Sequence, residues 1–74
     1  MSTIAPHDFG DARVNTLHEA VRRADDEWRI AKATRAPADE VRTRVQAYID
    51  ACYAFQKARF GRVRVRMSVA TLLR

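Results

Sequence analysis

Residues 28–45, WRIAKATRAPADEVRTRV, contain the point at which one helical pattern ends and a second begins. Pro37 has no N–H and disfavours helical geometry at the residue before it, so we expect the first helix to stop there. Proline also suits the first turn of a new helix, and Asp39 and Glu40 add negative charge where a helix N-terminus favours it. A short break of this kind predicts two antiparallel neighbouring helices.

Apolar residues before the break recur at alternating steps of three and four, which is the spacing of a heptad seam. They are Val14, Leu17, Val21, Ala24, Trp28 and Ala31. The pattern predicts a first helix over residues 9–35, with Asp8 as its N-cap and Asp11 in its first turn. Opposite charges four residues apart predict a solvated outer face. These pairs are Glu19 with Arg23, Arg23 with Glu27, and Asp25 with Arg29.

The same spacing continues after the break and predicts a second helix over residues 37–60. Its seam residues are Val41, Val45, Tyr48, Cys52 and Phe55, with Ile49 and Phe60 widening the stripe. Gly61 is a natural stop for this helix. Because Cys52 lies on the seam, we expect a buried and unreactive thiol. Trp28 is expected in the core or at a dimer seam, although tryptophan is also common as an anchor at protein interfaces.

The pattern changes after Gly61. Residues 62–67, RVRVRM, alternate strictly between arginine and an apolar residue. A period of two is typical of a strand, and it would place Arg62, Arg64 and Arg66 on one face and Val63, Val65 and Met67 on the other. Ser68 is then placed to cap a last short turn over residues 69–73.

The predicted fold is therefore mainly α: an antiparallel hairpin of two long helices with a short basic C-terminal strand or arm. The chain is expected to form a single domain, with residues 1–8 as a flexible N-terminal arm and residues 62–74 as the strand and terminal turn. Its aromatic side chains offer more apolar surface than one partner helix is expected to cover. We therefore expect a homodimer, with two hairpins pairing into a coiled-coil-like four-helix bundle.

The formal charge is separated sharply along the chain. Residues 57–74, called the basic tail below, contain six Lys or Arg residues and no acid, whereas residues 1–56 contain eight basic and nine acidic residues. A separation of this kind indicates that the tail faces something acidic, namely a nucleic acid, a membrane surface or an acidic protein patch. The position of the charges, rather than their number, is the functional signal.

The residues give little support for catalysis, a metal or a cofactor. His7, His18 and Cys52 do not stand at the spacings that bring metal ligands to one face, and two glycines are too few for a phosphate-binding loop. A single cysteine and the absence of a secretory signal favour a cytoplasmic location, and no run of ~18 apolar residues predicts a membrane span. We expect a non-enzymatic protein without a small-molecule substrate.

Two binding functions remain open from the sequence. The leading expectation is a nucleic-acid-associated regulator of bacterial, plasmid or phage type, with Arg59, Arg62, Arg64 and Arg66 contacting phosphates. Alternate arginines on a strand would project about 6.5 to 7 Å apart along one face, a spacing suited to successive phosphates. The alternative is a protein–protein adaptor or inhibitor that docks on an acidic protein partner through the strand and the hairpin. Its contacts would be Val63, Val65, Met67 and Trp28.

Overall fold

The computed structural model describes residues 9–74, which form two long helices packed side by side and a short third helix. Helix α1 spans Ala12–Ala33, α2 spans Ala38–Phe60 and α3 spans Val69–Leu72. The contacts between elements are those of α1 with α2 and of α2 with α3. The predicted helical hairpin is therefore confirmed. The predicted N-terminal arm, residues 1–8, lies outside the described residues.

Helix α1 begins later than the sequence pattern predicted. Asp11 is its N-cap, and the Asp11 carboxylate accepts hydrogen bonds from the N–H groups of Arg13 at 2.8 Å and Val14 at 3.3 Å. Gly10 turns the chain into this cap with φ of 74°, in the left-handed region that glycine tolerates. The assignment of the N-cap to Asp8, which lies outside the described residues, is therefore wrong. Asp11 stands directly before the first turn, where its oxygen reaches the unsatisfied N–H groups.

The link between the helices begins with a left-handed residue after the end of α1. Arg35 has φ of 58°, its N–H donates to the Lys32 carbonyl at 3.2 Å, and the Ala36 N–H donates to the Ala31 carbonyl at 3.0 Å. This pair of bonds is the Schellman arrangement, with arginine where glycine is more usual. Pro37 then precedes α2 as its N-cap residue. The predicted break is confirmed, and the predicted boundaries differ by one or two residues.

The two predicted seams meet in one core. Among residues 9–74, seven apolar side chains are buried, and Val45 at the centre is fully covered. The buried set is Val14, Trp28, Ala31, Val41, Val45, Ile49 and Cys52. Phe60 is the exception among the predicted stripe residues, because 45% of its surface is exposed at the end of α2. It lies at the last turn of its helix, outside the core cluster.

Trp28 lies in this core, packed against α2. Its ring centroid is 6.3 Å from that of Tyr48, and its indole N–H donates to the Asp25 carboxylate at 2.9 Å. The indole thus buries its rings while its single polar group keeps a partner, as a buried tryptophan requires.

Charged side chains decorate the outer faces, and one ion pair joins the two helices. The pairs of Glu19 with Arg23 at 3.8 Å and Asp25 with Arg29 at 2.8 Å are confirmed. The expected partner of Arg23, Glu27, instead reaches across to Arg44 of α2 at 3.0 Å. All these groups are substantially exposed, so each pair contributes little to stability. The Glu27–Arg44 pair nevertheless joins α1 to α2.

Residues 62–68, called the linking segment below, connect α2 to α3. Gly61 ends α2 with φ of 77°, and its N–H donates to the Lys57 carbonyl at 2.8 Å. Ser68 caps α3 by accepting a hydrogen bond from the Thr71 N–H at 3.2 Å, so the predicted stop and the predicted final cap are both confirmed. Residues 9–74 contain no strand, and the predicted C-terminal strand is not found in the linking segment.

The burial of Cys52 leads to a prediction about thiol chemistry. Cys52 is 8% exposed, and burial raises the pKa of its thiol. The native protein should therefore react slowly with an aromatic disulfide reagent at neutral pH, whereas the protein unfolded in urea should react rapidly, because thiolate is the attacking species. As the pH rises beyond the ordinary thiol value of 9.0, the free energy of unfolding should fall, since the unfolded chain loses this proton first. Equal labelling rates in both states would contradict the burial of this face.

Candidate functional site

The linking segment runs back along α2 instead of leaving the hairpin. Its last apolar residue, Met67, packs against the hairpin core together with Val69, Leu72 and Leu73 of the terminal turn. The chain therefore reverses at Gly61 and returns from the C-terminal end of α2 towards its N-terminal half. The basic tail thus lies folded on the helical hairpin.

Gln56 is the main attachment point of the linking segment. It is 7% exposed, and its side-chain oxygen accepts hydrogen bonds from the N–H groups of Arg64 at 2.8 Å and Val65 at 2.7 Å. Its side-chain NH₂ donates to the Val65 carbonyl at 2.9 Å. One buried amide thus satisfies three backbone groups. Such groups would otherwise lie against the helix without a partner, which is costly.

Tyr53 makes a second attachment one turn earlier on α2. Its hydroxyl donates to the Met67 carbonyl at 3.0 Å and accepts from the Met67 N–H at 3.1 Å. The two hydrogen bonds to a single residue resemble the pair that opposed residues exchange in an antiparallel sheet. Together, Gln56 and Tyr53 supply from side chains what a partner strand would supply from its backbone.

This attachment explains why the alternating sequence does not form a regular strand. Consecutive N–H groups of a strand point in opposite directions, yet those of Arg64 and Val65 reach the same oxygen of Gln56. The backbone accordingly bends at Val65. The bend leaves Val65 62% exposed while Val63 and Met67 are half-buried, so the predicted division into one apolar face and one arginine face does not hold.

Two of the predicted phosphate-binding arginines come together around Phe60. The Arg59 guanidinium carbon is 5.6 Å from the centroid of the Phe60 ring, and that of Arg64 is 4.9 Å away. Arg59 also lies 5.0 Å from the centroid of Phe9, at the start of the described chain. These distances are within the range of cation–π attraction. Arg59 and Arg64 therefore form one cationic and aromatic cluster at the end of α2.

The other two predicted arginines lie elsewhere on the tail. Arg66 lines a shallow depression with Lys57, Val63 and Tyr53, and Asp50 lies at the same depression. Arg62 is exposed beside the Gly61 turn. The even spacing along one face that a strand would give is therefore replaced by a clustered pair and two separate charges.

The predicted phosphate-binding arginines differ from most arginines of the helices in their ionic partners. Of the six arginines on α1 and α2 that precede the basic tail, Arg22, Arg23, Arg29 and Arg44 each pair with a carboxylate within 4.0 Å. Within residues 9–74, Arg59, Arg62, Arg64 and Arg66 have no carboxylate at ion-pair distance. Their positive charge is therefore not neutralised by a described carboxylate. Arg64 and Arg66 stand on the part of the linking segment that Gln56 and Tyr53 hold in place.

The residues predicted for a protein partner divide between core and surface. Trp28 lies in the core, and Met67 packs against that core. Val63 is half-buried beside Arg66, and Val65 is largely exposed. The structure therefore does not bring these four side chains together into one apolar surface.

Sequence reasoning missed Gln56, which fixes the whole linking segment. The sequence contains a weak signal for a buried Gln56, because this residue follows Ile49 and Cys52 at helical spacing. It is the polar member of a buried stripe on α2. Sequence reasoning also missed Phe9, whose ring lies 5.4 Å from Phe55 and 5.3 Å from His18. This aromatic cluster depends on the N-terminal end of α1 meeting the C-terminal half of α2.

Searches for other sites and for relatives gave no match. Between Phe9 and Arg74, no three His, Cys, Asp or Glu side chains come together as metal ligands would. In that same range, neither long helix carries an apolar stretch sufficient for crossing a bilayer. No protein-family model, no curated protein and no solved structure matches the chain.

Replacing Gln56 by Leu should release the linking segment while keeping the helix. The substitution conserves approximate size but leaves backbone groups of residues 64 and 65 without partners, so the free energy of unfolding should fall by about 1–3 kcal/mol. Hydrogen exchange at the Arg64 and Val65 amides should accelerate in the native state, whereas exchange in α1 should not change. Urea unfolding and amide exchange measured by NMR would report both effects.

The matched control is Gln46→Leu. Gln46 lies on the same helix but is exposed, and its side chain bonds only to Asp50 at 3.0 Å. The Gln46→Leu substitution should leave amide hydrogen exchange in the linking segment unchanged. If Gln56→Leu and Gln46→Leu gave the same exchange rates at residues 64 and 65, the attachment role of Gln56 would be disproved.

Proposed function

We propose that this chain is a small non-enzymatic nucleic-acid-binding protein that contacts phosphates through its basic tail, acting as a regulator. The observation that carries the proposal is the contrast in ion pairing. Of the six arginines on α1 and α2 that precede the basic tail, four pair with a carboxylate, whereas Arg59, Arg62, Arg64 and Arg66 all lack such a partner among the described residues. Arginine forks suit phosphate oxygens, and exposed arginines without a carboxylate are available to them.

The attachment of the tail supports this proposal further. A flexible arm would lose conformational entropy on binding, which lowers its affinity. Here, Gln56 and Tyr53 already fix the backbone of residues 64, 65 and 67. The arginine side chains must still be ordered, but the backbone that carries them is ordered in advance.

The competing hypothesis of an adaptor that adds a strand to a partner is favoured less by this geometry. Strand addition uses free backbone N–H and C=O groups along an exposed edge. In the linking segment, the N–H groups of residues 64, 65 and 67 and the carbonyls of residues 65 and 67 are already bound to α2. A partner strand would have to break several of these bonds first.

The homodimer belongs to the proposal as well, although much of the aromatic surface that suggested it is covered within one chain. Trp28 contacts Tyr48, and Phe55 packs with Phe9 and His18. The large apolar side chain left exposed on α1 is Ile30, with 61% of its surface accessible. A bundle of two hairpins would bury this face of α1.

Sedimentation equilibrium tests the dimer directly. At tens of micromolar, the protein should sediment at about twice the chain mass of 8.5 kDa. Ile30→Glu should shift the equilibrium towards the monomer, because a charge in an apolar interface is costly. A wild-type protein that sediments as an 8.5 kDa monomer at this concentration would remove the bundle from the proposal.

Salt dependence tests the phosphate contacts. Each phosphate neutralised on duplex DNA contributes about −0.9 to the slope of log K against log salt, so three tail arginines should contribute about −2.7 per chain and about −5 per dimer. Replacing Arg62, Arg64 and Arg66 together by Gln should flatten the slope by about that amount. Helicity should not change, because these side chains lie outside the hairpin core. Fluorescence anisotropy with a labelled duplex at several salt concentrations measures the slope.

The matched control replaces three exposed arginines outside the basic tail, Arg13, Arg35 and Arg42, by Gln. It removes the same formal charge, so it separates the position of the charge from its amount. This control variant should lower the affinity for the labelled duplex only slightly. Equal losses in the two triple variants would contradict a specific role for the tail, and stoichiometric capture of an acidic protein without any binding to nucleic acid would favour the adaptor.

A further inference from the structure

Rings and guanidinium groups alternate at the C-terminal end of α2. In order they are Phe9, Arg59, Phe60 and Arg64, with successive centroid-to-cation distances of 5.0, 5.6 and 4.9 Å. We call this row the ring–cation stack. It joins the start of the described chain, the last turn of α2 and the linking segment. It combines three separate parts of the chain at one surface position.

Phe60 is the unusual member of the ring–cation stack. Phe55, one and a half turns earlier, packs against Phe9 and His18 at centroid distances of 5.4 and 5.3 Å, whereas Phe60 keeps 45% of its surface exposed. A large aromatic ring left in solvent between two cations has no role in the core described above. Its neighbours nonetheless hold it in a defined place, since Arg59 and Arg64 both lie over it.

The chemistry of the stack suits an unpaired base. Every nucleobase has a flat π-face that stacks on aromatic rings and on guanidinium planes, and such stacking tolerates any base sequence. Arg59 and Arg64 supply such planes over the ring, and a guanidinium group that a base displaces from Phe60 can stack on that base or bind a flanking phosphate of the same nucleotide strand. A carboxylate-bearing partner would use the two cations but would gain nothing from the exposed ring between them.

We infer that the ring–cation stack binds an unpaired base of single-stranded nucleic acid on Phe60, where the base displaces one guanidinium group from the ring. This inference rests on the proposed nucleic-acid function and narrows its ligand to a single strand. In a duplex, each base face is already covered by its neighbours, so a duplex can meet the arginines only through phosphates. Phe60 is thus the residue that distinguishes a single strand from a duplex.

The test compares three labelled probes by fluorescence anisotropy at one fixed salt concentration. They are a fifteen-nucleotide oligothymidine, a fifteen-unit abasic strand with the same phosphates, and a fifteen-base-pair duplex. Wild-type protein should bind oligothymidine roughly five- to a hundredfold more tightly than the abasic strand, which is the range that stacking one base contributes. Phe60→Leu should remove most of this preference and leave duplex binding unchanged.

Two further variants serve as controls. Phe60→Trp keeps a stacking ring and should retain or increase the preference for oligothymidine over the abasic strand. Gln46→Leu changes an exposed side chain about four turns earlier on α2 and should not alter this preference. Circular dichroism should show equal helicity in all variants, because none of these side chains is buried.

The outcomes separate this inference from the proposed function. If wild type and Phe60→Leu show the same ratio between oligothymidine and the abasic strand while the salt slope remains steep, the stacking site is disproved and the phosphate contacts stand. If wild type binds none of the three probes, the nucleic-acid function fails, and the stacking site with it. Loss of the base preference in Phe60→Leu, with retention in Phe60→Trp, supports the inference.

Discussion

A chain that lies against a helix must find partners for its backbone N–H and C=O groups, and this requirement shapes the C-terminal third of the protein. A helix has none to offer, because its own backbone groups are bonded internally. Gln56 and Tyr53 meet the requirement from side chains, with five hydrogen bonds to the linking segment. The direction of the tail, the packing of α3 and the display of the arginines all follow from these bonds.

Charge is divided between two parts of the molecule. Residues 1–56 are nearly neutral, and the basic tail is strongly positive. On α1 and α2, Arg22, Arg23, Arg29 and Arg44 pair with neighbouring carboxylates. In the linking segment, Arg62, Arg64 and Arg66 have no carboxylate within 4.0 Å among the described residues. The charge separation in the sequence therefore becomes a separation in space.

Features that depend on neighbours along the chain could be predicted from the sequence. The heptad seams, the break at Pro37, the stop at Gly61 and the cap at Ser68 each involve residues within one or two turns of each other. The predicted N-cap was displaced by three residues, because Asp8 and Asp11 offer the same chemistry and only Asp11 lies next to the first turn. A local sequence pattern therefore narrows the candidates for an N-cap but does not always decide between them.

Features that depend on distant residues could not be predicted in this way. Alternation in residues 62–67 indicates a strand only if another strand is present, and here side chains of α2 took that place. Gln56 lies eight and nine residues from the groups that it binds, and Tyr53 lies fourteen residues from Met67. The loops that close when the linking segment docks on α2 are small, so this step costs little loop-closure entropy. Because the tail attaches to side chains that are aligned only when α2 is helical, formation of α2 templates the docking of the tail.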